Sequence, residues 1–324
     1  YNIYKDRFIC VSIKNNIWYE FKHQRWFDID SGSTLRLCIS KEMYNEYIKI
    51  IMKYNNIRYL TENDSENEKI DKKIKELSKI GLLLKKTQWK NNIMREAREL
   101  FYDSDFMKKI DSNPYLLCFN NCVIDFQNNE CRKGLPNDYL TKCTNIDYVK
   151  YNHNKHYEIK NEIELFMTEL FPEEELKKYM WDHLASILIG TNDNQTFNIY
   201  TGSGRNGKSC LVELISKCLG DYKGTVPITL ITQKRTQIGG TSSEIVQLKG
   251  VRYAVMQEPS LGDKINEGIM KEITGGDPIQ GRALFKDTIT FIPQFKLVVC
   301  TNTLFDINSN DDGTWRRIRV CDFK

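Results

Sequence analysis

Gly202-Ser203-Gly204-Arg205-Asn206-Gly207-Lys208-Ser209 fits G-x-x-x-x-G-K-[ST], the pattern of a phosphate-binding P-loop. Before it, Phe197-Asn198-Ile199-Tyr200-Thr201 is short, aromatic and β-branched, and reads as a strand. After it, Leu211, Val212, Leu214, Ile215, Cys218 and Leu219 recur at helical spacing, with Gly220 as a stop. Strand, glycine-rich turn and helix form the context the motif needs. The glycines let backbone N–H groups curl around phosphate oxygens, and the helix N-terminus adds partial positive charge there. Lys208 is expected to reach the β- and γ-phosphates and Ser209 to hold Mg²⁺.

The chain around this loop has 324 residues, enough for about two domains. A hydrophobic share of 40% and an aromatic share of 11% support packed cores rather than disorder. Lys+Arg number 47 against 43 Asp+Glu, a net charge of only +4, so nucleic-acid contact must come from local placement of charge. The ten cysteines form no C-x-x-C pair, and reduced intracellular thiols are expected. No apolar run is long enough to span a bilayer, so no membrane partner is expected. The chain opens at Tyr1 and stops after a strand-like run, and it is expected to be a piece of a longer protein.

Upstream of the loop, Phe8–Ile13 and Ile17–Phe21 read as strands around the turn Lys14-Asn15-Asn16. Trp18, Tyr19, Trp26 and Phe27 lie among Lys14, Lys22, His23 and Arg25. Such interleaving can bind single strands by stacking and phosphate contact, but a small aromatic core with a solvated rim is the preferred reading. Residues 40–60 look helical, 61–69 an exposed loop, and 70–84 and 89–101 amphipathic helices. Leu116–Phe119 and Cys122–Phe126 flank a hairpin-like turn at Asn120-Asn121. Cys118, Cys122, Cys131 and Cys143, with His153 and His156, raise zinc, but their spacing is poor for it. Two helices are expected between Glu158 and Ile189, and a domain boundary near residue 155.

The residues beyond the loop narrow its task. Val251 to Glu258 is a buried-type strand ending in a carboxylate that can hold Mg²⁺ or polarise water. Residues 279–291 read as a hairpin offering Arg282, Phe285 and Lys286, able to grip a phosphate backbone or merely solvated. Lys296–Asn302 is a buried strand ending in an amide that can orient water, or simply form a turn. Trp315-Arg316-Arg317 leads into a last strand, and an arginine there can stabilise transition-state charge or form a surface salt bridge.

In this order the P-loop, Gln257-Glu258, Lys271-x-x-Thr274-Gly275-Gly276-Asp277-x-x-x-Gly281-Arg282, Cys300-Thr301-Asn302 and Trp315-Arg316-Arg317 resemble a superfamily 3 helicase. The resemblance is to the poxvirus-type primase-helicases of nucleocytoplasmic large DNA viruses, with residues 1–150 similar to the region preceding the helicase. It implies an AAA+-like α/β P-loop ATPase, a mostly parallel sheet flanked by helices, over residues 156–324. A smaller α+β domain over 1–155 would precede it. It further implies ATP and Mg²⁺ as cofactors and a homo-oligomer, a hexameric ring on single-stranded or forked DNA beside other replication proteins. The setting would be the infected cell, with host cytoplasm favoured. By position, nucleotide binding falls to Gly202, Ser203, Gly204, Arg205, Asn206, Gly207, Lys208, Ser209 and Cys210. Metal falls to Ser209 and Glu258, catalysis to Lys208, Glu258, Asn302 and the trans-acting Arg317, and DNA contact to Arg282 and Lys286. The single acid at Gln257-Glu258 departs from the two-acid form of the superfamily. A nucleotide-dependent remodelling ATPase without processive unwinding is the alternative. A passive nucleotide binder fits less well, since it has no need of Asn302 or Arg317.

Overall fold

Trp18 and Trp26 are buried, and an N-terminal unit forms around them. The computed structural model describes residues 1–232, 242–256, 264–284, 287–304, 307 and 311–324. Its chain divides into two compact units, residues 1–22 with 26–107, and residues 23–25 with 108–324.

In the first unit, β1 (Phe8–Ser12), β2 (Ile17–Lys22) and β3 (Arg25–Asp30) form a sheet in that order. β1 and β2 are antiparallel, with Phe8 opposite Glu20 and Cys10 opposite Trp18. Phe8, Cys10 and Trp18 pack with Leu35, Ile39, Leu84, Met94 and Phe101 from the following helices. Trp26 meets Phe106 edge to face at 5.2 Å. The aromatic residues at 18 and 26 thus make a core, as the preferred sequence reading had it. Helices Tyr44–Leu60 and Asp64–Lys85 follow, then Thr87–Leu100. The expected loop at 61–69 is shorter than the sequence suggested. The Asn63 side chain accepts from the Ser65 N–H at 3.0 Å and caps a helix that begins at Asp64. Acidic Asp64 and Glu66 then suit its first turn.

The second unit opens with an antiparallel sheet of β4 (Leu116–Cys118), β5 (Val123–Asp125) and β6 (Glu130–Arg132). Cys118 pairs with Val123 around the expected Asn120-Asn121 turn. Helices His153–Leu170 and Glu174–Ser186 match the two expected before residue 189. The strands β7 (Phe197–Thr201), β8 (Lys223–Val226), β9 (Tyr253–Met256), β12 (Lys296–Thr301) and β13 (Ile318–Asp322) build one sheet. Its order is β13-β7-β12-β9-β8, and every described pairing in it is parallel. Helix Lys208–Leu219 follows β7. β10 (Ile279–Arg282) and β11 (Thr288–Phe291) form a separate antiparallel hairpin. β7 reads as buried at four of five positions, as a parallel strand covered on both faces must. An α/β architecture with a parallel sheet is therefore observed.

The units divide at 107/108, earlier than the boundary read near 155. The reason is a set of contacts invisible in sequence. The fully buried Arg252 guanidinium donates to the carbonyls of Pro114 at 2.5 Å, Asn113 at 3.2 Å and Leu116 at 3.1 Å. Burial pushes its pKa down to about 10, and the three carbonyls supply the polar company a buried cation needs. The Tyr222 hydroxyl accepts from the Cys118 N–H at 3.0 Å. These bonds tie the β4–β6 segment to the parallel sheet as one unit.

Candidate nucleotide-binding site

Register assembles the site. β7 and β12 are neighbours, with Thr201 opposite Thr301. Their C-terminal ends therefore release Gly202 and Asn302 side by side, as ligand crevices in open α/β sheets require. Gly202 has φ +149, and a Cβ there would meet Asn206 Nδ2 at 2.0 Å and the Phe323 carbonyl at 2.5 Å. Gly207, at φ +80, starts the helix in a left-handed conformation, and a Cβ there would strike Leu170 Cδ2 at 2.4 Å. Both positions require glycine. Gly204 has open space around it, and Ser203 and Arg205 are exposed beside it, so the loop's outer surface is clear for a phosphate group.

Lys208 is buried at the base of this loop. Its Nζ donates to the Gly202 carbonyl at 2.8 Å, Asn206 Oδ1 at 3.0 Å and Asn302 Oδ1 at 3.1 Å. Asn206 Nδ2 in turn donates to the Phe323 carbonyl at 3.0 Å, which fixes the amide so that its oxygen faces the ammonium. Sequence reasoning placed Asn206 in the loop but did not foresee this side-chain role. Ser209 and Cys210 lie exposed in the first turn of the helix. A helix start, an ammonium and a hydroxyl meeting in a glycine loop fit a nucleotide's phosphates and an accompanying divalent cation. Ser209 is the described residue that would hold that cation.

Other expected site residues lie elsewhere. Gln257 and Glu258 follow β9 and fall outside the described residues, as do Phe285 and Lys286. Arg282 is exposed at the end of β10, where its N–H donates to Ser242 Oγ at 3.0 Å. Lys271, in helix Glu267–Thr274, forms an ion pair with Asp311. Arg317 does not approach Lys208. It precedes Ile318, which pairs with Phe197 at the opposite end of β7 from the P-loop. Four residue steps along β7, from Phe197 to Thr201, separate those ends by roughly 13 Å of rise. The largely buried Arg317 Nη1 donates to the Gly313 carbonyl at 2.6 Å, and its Nη2 to Gln195 Oε1 at 2.8 Å. Burial and the neighbouring Arg316 charge lower its pKa. Gln195 was not foreseen, and nothing in the polar run Thr191–Thr196 marks it.

Cys118 with Cys143, and Cys122 with Cys131, lie close enough to affect each other's titration. All ten cysteines are free. The Cys118 and Cys143 thiols interact, which raises the pKa of the first and lowers that of the second. Burial and Cys131 push Cys122 up to about 12. Among the described residues no group of three or more His, Cys, Asp or Glu is placed to hold a metal. Among them, too, no helix is long and apolar enough to cross a membrane.

Residues 1–185 match the family described as D5 N terminal like, and residues 200–317 match a family of unknown function, DUF5906. A protein named as a helicase in Acanthamoeba polyphaga mimivirus is 40% identical over 99% of this chain and 33% of its own length. One named as a primase in African swine fever virus is 26% identical over 71% of this chain and 24% of its own length. The chain thus spans about a third or less of these two relatives. Among solved structures, the NrS-1 C-terminal region aligns with a TM-score of 0.42 and 14% identity over 55% of this chain and 40% of that one, a likeness too slight to carry any argument. The D5 N-terminal-like match covers more than half of the 324 residues, and relatives in large DNA viruses bear helicase and primase names. The chain belongs to the D5-type family of viral primase-helicases.

Proposed function

We propose that this chain is the ATP-hydrolysing motor segment of a viral replicative helicase of superfamily 3. It couples turnover to movement on single-stranded DNA and to unwinding of the duplex. The observation that carries the reading is the meeting of Lys208 Nζ with Asn302 Oδ1 at 3.1 Å, at the C-terminal ends of adjacent parallel strands. A P-loop lysine beside a polar amide is what hydrolysis, rather than storage, of a nucleotide needs. Lys208 holds the β- and γ-phosphates, and Asn302 orients water or senses the γ-phosphate. Bound Mg²⁺ neutralises phosphate charge, with Ser209 and Glu258 as its candidate ligands. Arg282 and Lys286 contact the DNA backbone. Arg317 serves the nucleotide site of a neighbouring copy, which supports a ring, expected to be hexameric. The working place is the infected cell, cytoplasm before nucleus. The relatives' names support this direction.

The test is ATP turnover and strand displacement on forked DNA, for the wild-type chain and Lys208→Ala. Wild type should show both activities and Lys208→Ala neither. Turnover unchanged in Lys208→Ala would remove the P-loop reading. Turnover without displacement would favour a remodelling ATPase.

A further inference from the structure

One amide oxygen gathers two arginines. Gln195 Oε1 accepts from Arg316 Nη2 at 2.5 Å and from Arg317 Nη2 at 2.8 Å. Arg316 and Arg317 are adjacent in sequence and carry like charge, so their guanidinium groups repel and gain nothing from converging by themselves. A shared acceptor is what brings them together.

The backbone around that acceptor is fixed. Gln195 sits at φ +50, and its N–H donates to the Asn192 carbonyl at 2.9 Å. Two residues on, the Phe197 N–H donates to the Arg317 carbonyl at 2.7 Å. Gln195 and the arginine pair therefore enter their neighbouring strands from one anchored corner, away from this chain's own P-loop. Arg317 Nε is buried there without a partner among the described residues, and Arg316 is exposed. Arg316 is therefore the half of the pair open to negative charge from outside the chain, with the buried Arg317 packed behind it.

We propose that Gln195 is a positioning residue that presents the Arg316–Arg317 pair to the nucleotide site of an adjoining copy of this chain. The proposal rests on the reading of Arg317 as a trans-acting residue. A neutral amide suits the task. It orients both guanidinium groups without neutralising either, whereas a carboxylate would hold them in a bidentate ion pair.

The experiment measures steady-state ATP turnover for wild type, Gln195→Ala, Gln195→Glu and Arg317→Ala, each alone and mixed with Lys208→Ala. Gln195→Ala should lower kcat about tenfold and leave KM within about twofold, the pattern of a contact used only in the transition state. Gln195→Glu should lose more, and added salt should restore part of its turnover but none in Gln195→Ala. Mixing Gln195→Ala with Lys208→Ala should restore turnover as the Arg317→Ala mixture does, because an intact P-loop then meets an intact arginine pair across the interface. A Gln195→Ala defect that the mixture does not rescue would show Gln195 acting through its own β7, and would overturn the proposal. So would wild-type kcat in Gln195→Ala while Lys208→Ala is inactive, an outcome that leaves the motor reading standing. A wild-type chain without ATP turnover would overturn the motor reading and this proposal with it.

Discussion

Lys208 directs its ammonium at three oxygens of its own chain, from Gly202, Asn206 and Asn302. An incoming phosphate must compete with them, so removing one acceptor has opposite effects on binding and chemistry. Asn302→Ala should bind ATP at least as tightly as wild type, yet lose about a hundredfold in kcat, the usual scale for one positioned polar group. Titration of a fluorescent nucleotide beside turnover checks this, and equal losses in both would place Asn302 in binding alone. A second residue sets a pH limit. His183 is buried, stacked at 6.2 Å on Tyr179, and burial with the Lys296 charge lowers its pKa from 6.5 to about 4. The unfolded chain therefore takes up a proton below pH 6.5 that the folded chain refuses until pH 4. Stability from this residue is full above pH 6.5 and declines toward pH 4, by on the order of 3 kcal/mol. Denaturant unfolding of His183→Phe should show a flatter acid limb across that window, and an identical limb would refute the assignment. The strand, turn and helix around Lys208 were legible, because the hydrophobic patterns on either side of the glycines specify them. Asn206's side-chain bond to Phe323 was not, since its partner arrives 117 residues later along the chain.

Among the elements, helix His153–Leu170 does more than lead into the sheet, for Leu170 fills the space beneath Gly207. Gly207→Ala should then lose stability for two separable reasons. The φ of +80 disfavours any Cβ by roughly 1–2 kcal/mol, and the 2.4 Å approach to Leu170 Cδ2 adds an overpacking cost of about 1–3 kcal/mol. Truncating Leu170 should relieve the second and not the first. In a double-mutant cycle read by thermal unfolding, Gly207→Ala should therefore cost less in the Leu170→Ala background, by about 1 kcal/mol or more. Strict additivity would show that Leu170 does not support the loop. Element identity was largely legible, because β7, β12 and helix Lys208–Leu219 each carry one unmixed hydrophobic pattern. Element order within the sheet was not, since nothing in β8 or β9 says that both lie beyond β12.

For the molecule as a whole, the decisive question is where the unit built on the parallel sheet begins. Two helices are expected after residue 158, and a boundary just before them, near residue 155, follows from that. Packing instead continues upstream through Arg252 and Tyr222, whose partners lie at 113–118 and 142. A buried arginine looks in sequence like any surface arginine, which is why the seam was hidden. Arg252→Met should leave the carbonyls of Asn113, Pro114 and Leu116 without their donor, at about 3 kcal/mol or more of stability. Truncation separates the two boundaries directly. A chain beginning at Lys108 forgoes the Arg25–Asp221 ion pair, half-exposed on its Asp221 side, but keeps these buried bonds. It should unfold in a single cooperative thermal transition. A chain beginning at residue 156 loses Leu117 from the core it shares with Tyr222 and Tyr253, and strands the buried Arg252 guanidinium with no carbonyl to bond. It should unfold broadly or aggregate, because an unpaired buried charge is costlier than the lost apolar contact. Cooperative unfolding of the shorter chain at the same temperature as the longer one would return the boundary to residue 155. It would also leave β4–β6 as an appendage of the sheet rather than part of its foundation.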